Sequence, residues 1–295
     1  VSLTGRLTAF VNNTTITLVE DGALLGSRQL DMGNRLMDGD LSFEPAVPVF
    51  DANVALGRRH DRVVSEDTAA GTLKEMDRLG VERALVYAPH SASFDTTAGN
   101  KALLETIGGE PRLVPQFVAN PAYDDLNSFA AGLRDAGVRS IRMFPALHNY
   151  PFRDWVLGPW LEWLAVEQLP VWLPTGYDDS VFPPQRFDPN EVYDTLRANP
   201  NISAVLTEVE YKHFSWAIPL LRSLPNMCVE LSRWFLIDGI PRLLDAVGDQ
   251  RILYGSRFPE GAMGPQLYNL HNHGLSEDTL GRICSGNLER LLRMK

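Results

Sequence analysis

The residues of this chain best suited to chemistry lie at or just beyond the downstream ends of short apolar runs. They are Asp51 and Asn53 in VFDANV, Tyr87 and His90 in VYAPH, Gln116 and Asn120 in PQFVAN, and Arg142 in SIRMFP. Further along come Thr175 after VWLP, Glu208 and Glu210 in LTEVEY, Glu230 and Ser232 in VELS, and Tyr254 and Arg257 in LYGSRFP. A carboxylate in apolar surroundings has its pKa raised and can exchange a proton near neutrality, whereas a guanidinium stays charged and grips planar anions through a fork of donors. Carboxylates combined with arginines in one pocket would suit a small, carboxylated ligand. Asp51, Glu230 and Arg257 are the candidate catalytic residues. Asn53, Tyr87, His90, Gln116, Arg142, Glu208 and Tyr254 are the candidate substrate-binding residues. Two uses stay open for the carboxylates. Asp51 either pairs with Arg257 or Arg142 or acts as a general base, and Glu208 and Glu230 either join interior salt bridges or take part in catalysis. Strand alternation predicts that Glu210 points the same way as Glu208.

The remaining chemistry-bearing groups have plainer uses. His90 and His148 fall on loops, where a histidine is usually solvated, although it could protonate a leaving group at neutral pH. His213 stands at a helix start and reads as a cap, and His271 with His273 is too sparse a pair to imply a metal. Trp155, Trp160 and Trp163 with Phe152 have the spacing of a helix packed into a core. FPPQRF (182–187) is a proline-rich loop placed to shape a pocket mouth.

Elements able to position the polar set are legible in the pattern. Runs at 47–54, 83–88, 113–119, 140–145, 169–174, 202–209, 227–232 and 251–256 are rich in Val, Ile and Leu without polar alternation, as in strands covered on both faces. Between them lie amphipathic segments with caps. Residues 65–80 begin at Ser65 and end on Gly80, 124–137 run from Asp124 to Gly137, and 188–200 place Asp188 before a first-turn proline. Residues 276–292 read as two helical pieces broken near Ser285-Gly286. Strand–helix alternation through eight strands predicts an α/β fold, a (β/α)8 barrel over 46–295, whose chemistry would sit at the C-terminal strand ends. No glycine-rich turn follows the first strand, which argues against nucleotide binding. Residues 1–45 alternate apolar and polar positions around Asn12-Asn13 and Asp21-Gly22, predicting a small β appendage of two or three antiparallel strands.

Composition narrows the partners. Of 295 residues, 37 are acidic and 27 basic, a net charge of −10 that disfavours nucleic acid. No apolar run reaches the length of a membrane span, and the opening VSLTGRLTAF lacks the charge and hydropathy of a signal peptide. Cys228 and Cys284 occur in unrelated contexts, so a reducing, cytoplasmic setting is expected. A homodimer is the expected assembly.

The segments, taken in order, resemble the amidohydrolase-2 family, which includes the aminocarboxymuconate-semialdehyde decarboxylase-like enzymes. VFDANVALG (49–57) lies where that family carries Asp-x-His-x-His. GNKALLETI (99–107), PRLVPQFVANP (111–121) and AGVRSIRMFP (136–145) resemble its next helix start and its third and fourth strands. RILYGSRFPE (251–260) and SGNLERLL (285–292) resemble its last strand and helix. The likeness spans roughly 47–292. It implies a barrel acting on carbonyl or carboxylate substrates with a metal, yet the implied ligands are substituted. Asn53 and Ala55 stand at the first-strand histidines, Pro174 at or near the fifth-strand histidine, Glu208 or Glu210 near the sixth-strand histidine, and Arg257 at the eighth-strand aspartate. No metal or other cofactor is therefore expected. Two functions follow: a metal-independent hydrolase, lactonase or decarboxylase acting on a small carboxylated or carbonyl substrate, or a catalytically inactive barrel that binds a small ligand or serves as a partner subunit.

Overall fold

The computed structural model describes the backbone of three N-terminal strands and residues 43–177 and 187–294 in full. The proline-rich loop expected at 182–187 lies outside the described residues except for Phe187, as do the turn residues Asn13, Asp21 and Gly22. Contacts divide the chain into two units, Val1–Phe43 and Glu44–Lys295. In the first, β1 (Leu7–Asn12), β2 (Thr15–Glu20) and β3 (Ala23–Gln29) form an antiparallel sheet in sequence order, with an irregularity between Leu18 and Val19.

The second unit is a TIM barrel, and each of the eight expected runs supplies a strand. They are β4 (Phe50–Ala55), β5 (Arg83–Tyr87), β6 (Leu113–Pro115) continued by β7 (Phe117–Ala119), β8 (Ile141–Met143), β9 (Val171–Pro174), β10 (Ala204–Thr207), β11 (Met227–Glu230) and β12 (Ile252–Leu253). All pairings are parallel, in the orders β4-β5-β6 and β7-β8-β9-β10-β11-β12. The third strand is split at Gln116, whose amide still donates to Val86 O at 2.8 Å, so the barrel wall is continuous there. Closure between last and first strands comes from Ala52 N to Tyr254 O (3.0 Å), Arg257 N to Asn53 O (2.8 Å) and Ala55 N to Phe258 O (2.7 Å).

Packing explains why the runs lack polar alternation: every residue of β4, β8, β9, β10 and β11 is buried. One apolar cluster joins Phe50, Leu85, Trp172, Val205, Cys228 and Leu253 to Leu288, Leu291 and Leu292 of the C-terminal helix, and the Trp172 indole N–H donates to Ala52 O at 3.1 Å.

Helix boundaries follow capping chemistry. The helix Ala69–Leu79 starts at Thr68, whose hydroxyl accepts from Gly71 N, rather than at Ser65, and it stops at Gly80 with φ 68°. Asp125 and Asp188 cap Leu126–Asp135 and Pro189–Ala198. The expected break near Ser285-Gly286 is instead a π turn, Arg282–Gly286, between Glu277–Gly281 and Asn287–Leu292. Its cause is visible, since the Ile283 carbonyl is diverted to accept from Tyr254 N at 2.8 Å, tying the helix to β12. Among the tryptophans, Trp160 and Trp163 pack on Phe129 at 5.1 and 6.1 Å, but Trp155 is 80% exposed and outside the core.

Asn100, in the helix Thr96–Ile107, substitutes for a neighbouring strand. Its amide nitrogen donates to Val118 O at 2.8 Å and its oxygen accepts from Val118 N at 3.0 Å, all buried. Asn100→Ala would leave both backbone groups of β7 unpaired, so chemical denaturation should show a loss of about 2–4 kcal/mol.

Candidate active site

At the C-terminal ends of the strands the barrel interior turns from apolar to charged. Arg142 of β8 is the centre. Its Nε donates to Gln116 Oε1 at 2.8 Å, its Nη2 donates to Asn53 Oδ1 at 2.9 Å, and its Nη1 stands 3.9 Å from Glu208 Oε1. The guanidinium lies 4.1 Å over the Tyr87 ring. Asn53 passes the network on, donating from Nδ2 to Glu230 Oε2 at 3.0 Å, and Ser232 Oγ donates to the same oxygen at 3.0 Å. Arg257 Nε donates to Glu208 Oε2 at 3.2 Å. Thr175 Oγ1 donates to Glu208 O at 2.8 Å, so every strand of the barrel contributes to this layer. Asn53, Gln116, Arg142, Glu208 and Glu230 are each no more than 1% exposed.

Local backbone departs from strand geometry where these groups meet. A register shift between Asp51 and Val54 breaks the alternation of β4. Glu208 and Arg257 have φ of 58° and 61°, a left-handed conformation costly for residues bearing a Cβ. Asn149, Gln168 and Arg293 share positive φ but follow helix C-termini, where it is common, and Asp238 has it as the N-cap of Gly239–Val247. Glu208 and Arg257 have no such excuse, and their side chains pair with each other. The kink at Glu208 also defeats the expectation for Glu210, which pairs instead with Lys212 at 2.8 Å and Arg233 at 2.6 Å. Gly255 is required by close approach, because a Cβ there would collide with the Glu230 carboxylate.

Burial sets the electrostatics. Desolvation pushes the Glu230 carboxyl up to about 7, against hydrogen bonds from Ser232 that favour the anion, while Asp51 and Glu208 nearby raise it further. Asp51 is also pushed up to about 7 by desolvation. Glu208 is raised by burial and pulled back by Arg257 and Arg142. Above the layer, Arg59 stacks 4.6 Å over Tyr177 and holds Asp61 through two hydrogen bonds of 2.7 and 2.9 Å. Glu260 bridges the two levels, pairing with both Arg59 and Arg257. Arg59, Arg142 and Arg257 thus face Asp61, Glu208 and Glu260. Desolvation outweighs the hydrogen bonds at Asp51 and at Glu230, and both carboxyls are held at about 7.

Of the expected site residues, the structure brings together Asn53, Tyr87, Gln116, Arg142, Glu208, Glu230 and Arg257. Three are placed elsewhere. Asp51 pairs with no arginine; its Oδ1 accepts from the backbone amides of Asn53 and Ser256, each at 3.0 Å, which pins the residue before strained Arg257. Tyr254 is buried with its hydroxyl donating to Met263 O at 2.7 Å, since Leu253 takes the interior position of that strand. His90 is exposed on the short helix Pro89–Ser93, beside Phe94. Four other histidines do structural work: His148, expected on a loop, ends the short helix Pro145–His148 with Nε2 2.7 Å from Ala92 O, His213 Nδ1 accepts from Glu210 N at 3.3 Å, and the Nδ1 atoms of His271 and His273 lie 2.8 and 2.7 Å from helix carbonyls. Arg59, Asp61, Tyr177 and Glu260 were not anticipated. Charged residues on loops read as solvated, and nothing local marks these as an interior bridge.

The family resemblance implies a metal here, and the donor set does not fit one. Zinc sites use three or four N, O or S ligands at about 2.0–2.3 Å. Ala55 and Pro174 offer no side-chain donor, Asn53 already uses its oxygen on Arg142, and Arg257 brings a cation to 3.2 Å from Glu208. Among the described residues no group of three or more His, Cys, Asp or Glu could hold a metal ion. No helix among them is long and apolar enough to cross a membrane.

Solved structures similar in fold include an uncharacterised TIM-barrel protein from Bordetella bronchiseptica, with a TM-score of 0.65 at 14% identity over 84% of this chain and 99% of that one. A 5-carboxyvanillate decarboxylase from Sphingomonas paucimobilis matches with a TM-score of 0.63 at 13% identity, covering 85% and 100%. A putative amidohydrolase from Staphylococcus aureus matches with a TM-score of 0.68 at 11% identity, covering 84% and 100%. At such identities the likeness concerns the fold. No curated protein matches the chain. The amidohydrolase family profile (Amidohydro_2) matches residues 52–294, nearly the whole barrel, and with that span the chain belongs to the amidohydrolase family.

Proposed function

We propose that this family member is a metal-independent hydrolase or decarboxylase acting on a small carboxylated or carbonyl substrate. Glu230 exchanges the proton, and Arg142 and Arg257 stabilise the substrate's carboxylate or a developing oxyanion, work that a fixed guanidinium can do in a dry site. The observation that carries this reading is the Glu208–Arg257 pair. Two strand-end residues are held in a costly left-handed conformation and paired at 3.2 Å, and unexplained backbone strain at a barrel's C-terminal face marks a site under functional constraint. Glu230, titrating near 7, supplies a proton donor and acceptor in the same layer. Asp51 serves as a positioning residue through Ser256.

A second reading is favoured by burial: with the arginines paired and Asn53, Arg142, Glu208 and Glu230 out of solvent, the layer would equally suit a silent barrel that binds a ligand without turning it over. The test is a screen of exhaustively chelated protein against small aromatic and aliphatic acids and lactones, following CO2 release and ester hydrolysis. Turnover that survives chelation and disappears in Glu230→Gln is the expected result. Turnover lost on chelation and restored by Zn2+ or Mn2+ overturns metal independence. A folded protein that is inert selects the silent barrel.

A further inference from the structure

Glu260 is an unusual partner for two arginines. One carboxylate oxygen pairs with Arg59 Nη1, from the loop after β4, and the other with Arg257 Nη2, from the loop after β12. Its side chain is 9% exposed and that of Arg59 3%, so this is an enclosed two-guanidinium clamp on one carboxylate. Each guanidinium offers it one terminal nitrogen, and a carboxylate, with one oxygen for each, is the ligand that bridges such a pair. Neither arginine depends on Glu260 alone: Arg59 keeps Asp61, and Arg257 keeps Glu208. Removing Glu260 would therefore open the clamp without leaving a guanidinium stripped of every anion. Clefts adjoin the buried clamp on two sides. Glu260 lines an open cleft of about 880 Å3 with Ser65, Lys74 and Phe258, and Arg59 lines another of about 360 Å3 with Arg58 and His60.

We propose that Arg59 and Arg257 form a carboxylate-binding subsite and that the Glu260 side chain occupies it as an internal competitor, leaving when a carboxylated ligand enters. The subsite rests on the reading of this barrel as a binder of small carboxylated molecules, but it does not require turnover. It also accounts for entry to a sealed interior. Exchange of Glu260 for a ligand carboxylate unties the β4 loop from the β12 loop while the charge between the arginines is conserved. A tethered group competes at a high effective concentration, so the wild-type protein should bind simple carboxylates weakly.

The experiment is calorimetric titration of the full chain with benzoate and with acetate, comparing wild type, Glu260→Ala and Glu260→Gln. Glu260→Ala is expected to bind benzoate at least about tenfold more tightly, because the internal competitor is gone. Glu260→Gln, which preserves shape and can still accept from one arginine, should gain less. Adding Arg257→Met to Glu260→Ala should abolish the gain. A cooperatively folded Glu260→Ala protein, or Glu260→Gln where the alanine variant does not fold, with wild-type affinity overturns the proposal. So does a gain that survives Arg257→Met. Improved binding without turnover in any substrate screen leaves the subsite standing and removes the catalytic reading; turnover without improved binding removes the subsite alone.

Discussion

Asp51→Asn should unfold at pH 8 with about 2–3 kcal/mol more free energy than the wild type, an advantage that disappears as pH falls toward 4. The Asp51 carboxyl is pushed up to about 7 in the folded protein by desolvation, while in the unfolded chain it titrates in the ordinary aspartate range. The folded state therefore binds the extra proton between those two values. Stability falls as pH rises through that window, and above pH 7 the full cost of a buried anion is present. Three pKa units correspond to about 4 kcal/mol, reduced here because the new amide adds an unpaired buried donor. The substitution keeps what Asp51 contributes structurally, since an asparagine oxygen can still accept from Asn53 N and Ser256 N. Carboxylate binding should be retained, as expected for a positioning residue. Urea denaturation between pH 4 and 8 reads the effect. Parallel curves for variant and wild type would show that Asp51 does not titrate in the folded protein. Glu230 adds a drop in stability over the same window, so the wild-type profile should decline from acid to neutral pH.

Arg142→Ala should cost about 3–5 kcal/mol. Removing this guanidinium strands the Gln116 and Asn53 carbonyls, donated to at 2.8 and 2.9 Å, and leaves Glu208 with Arg257 as its remaining close cation. It also opens a void under Tyr87, whose ring the guanidinium covers at 4.1 Å. Arg142→Lys keeps the charge but not the fork, so it can satisfy one acceptor and should recover only part of the loss. Denaturant titration of both variants checks this. Equal, small losses would mean the network contributes little and that packing alone holds the layer.

Much of the barrel was legible because strand burial and helix capping are local. All eight strands, the Asp188 cap with its proline, and the Gly80 stop follow from patterns within a few residues. Likewise Arg142, Glu208, Glu230 and Arg257 could be nominated because strand ends in a barrel converge, whichever strand a residue belongs to. What failed was facing. Asp51 and Asn53 are two apart and should share a face, but the register shift inside β4 gives Asn53 to Arg142 and Glu230 and leaves Asp51 with backbone amides. Glu208 and Glu210 are separated in the same way by the left-handed kink at Glu208. Tyr254 was misplaced because Leu253 takes the interior position of the last strand.

The sequence by itself determined the class of fold, the order of the strands, and the loss of histidine at the positions where the family resemblance implies metal ligands. Those are properties of residue type and short-range pattern. Only the tertiary structure decided which charges meet. Arg59 and Glu260 are 201 residues apart and Arg142 and Asn53 are 89 apart, so only the folded barrel brings either pair together. A buried charge takes its partner from whatever the folded chain brings within a few ångströms, and that distance is fixed by the whole barrel.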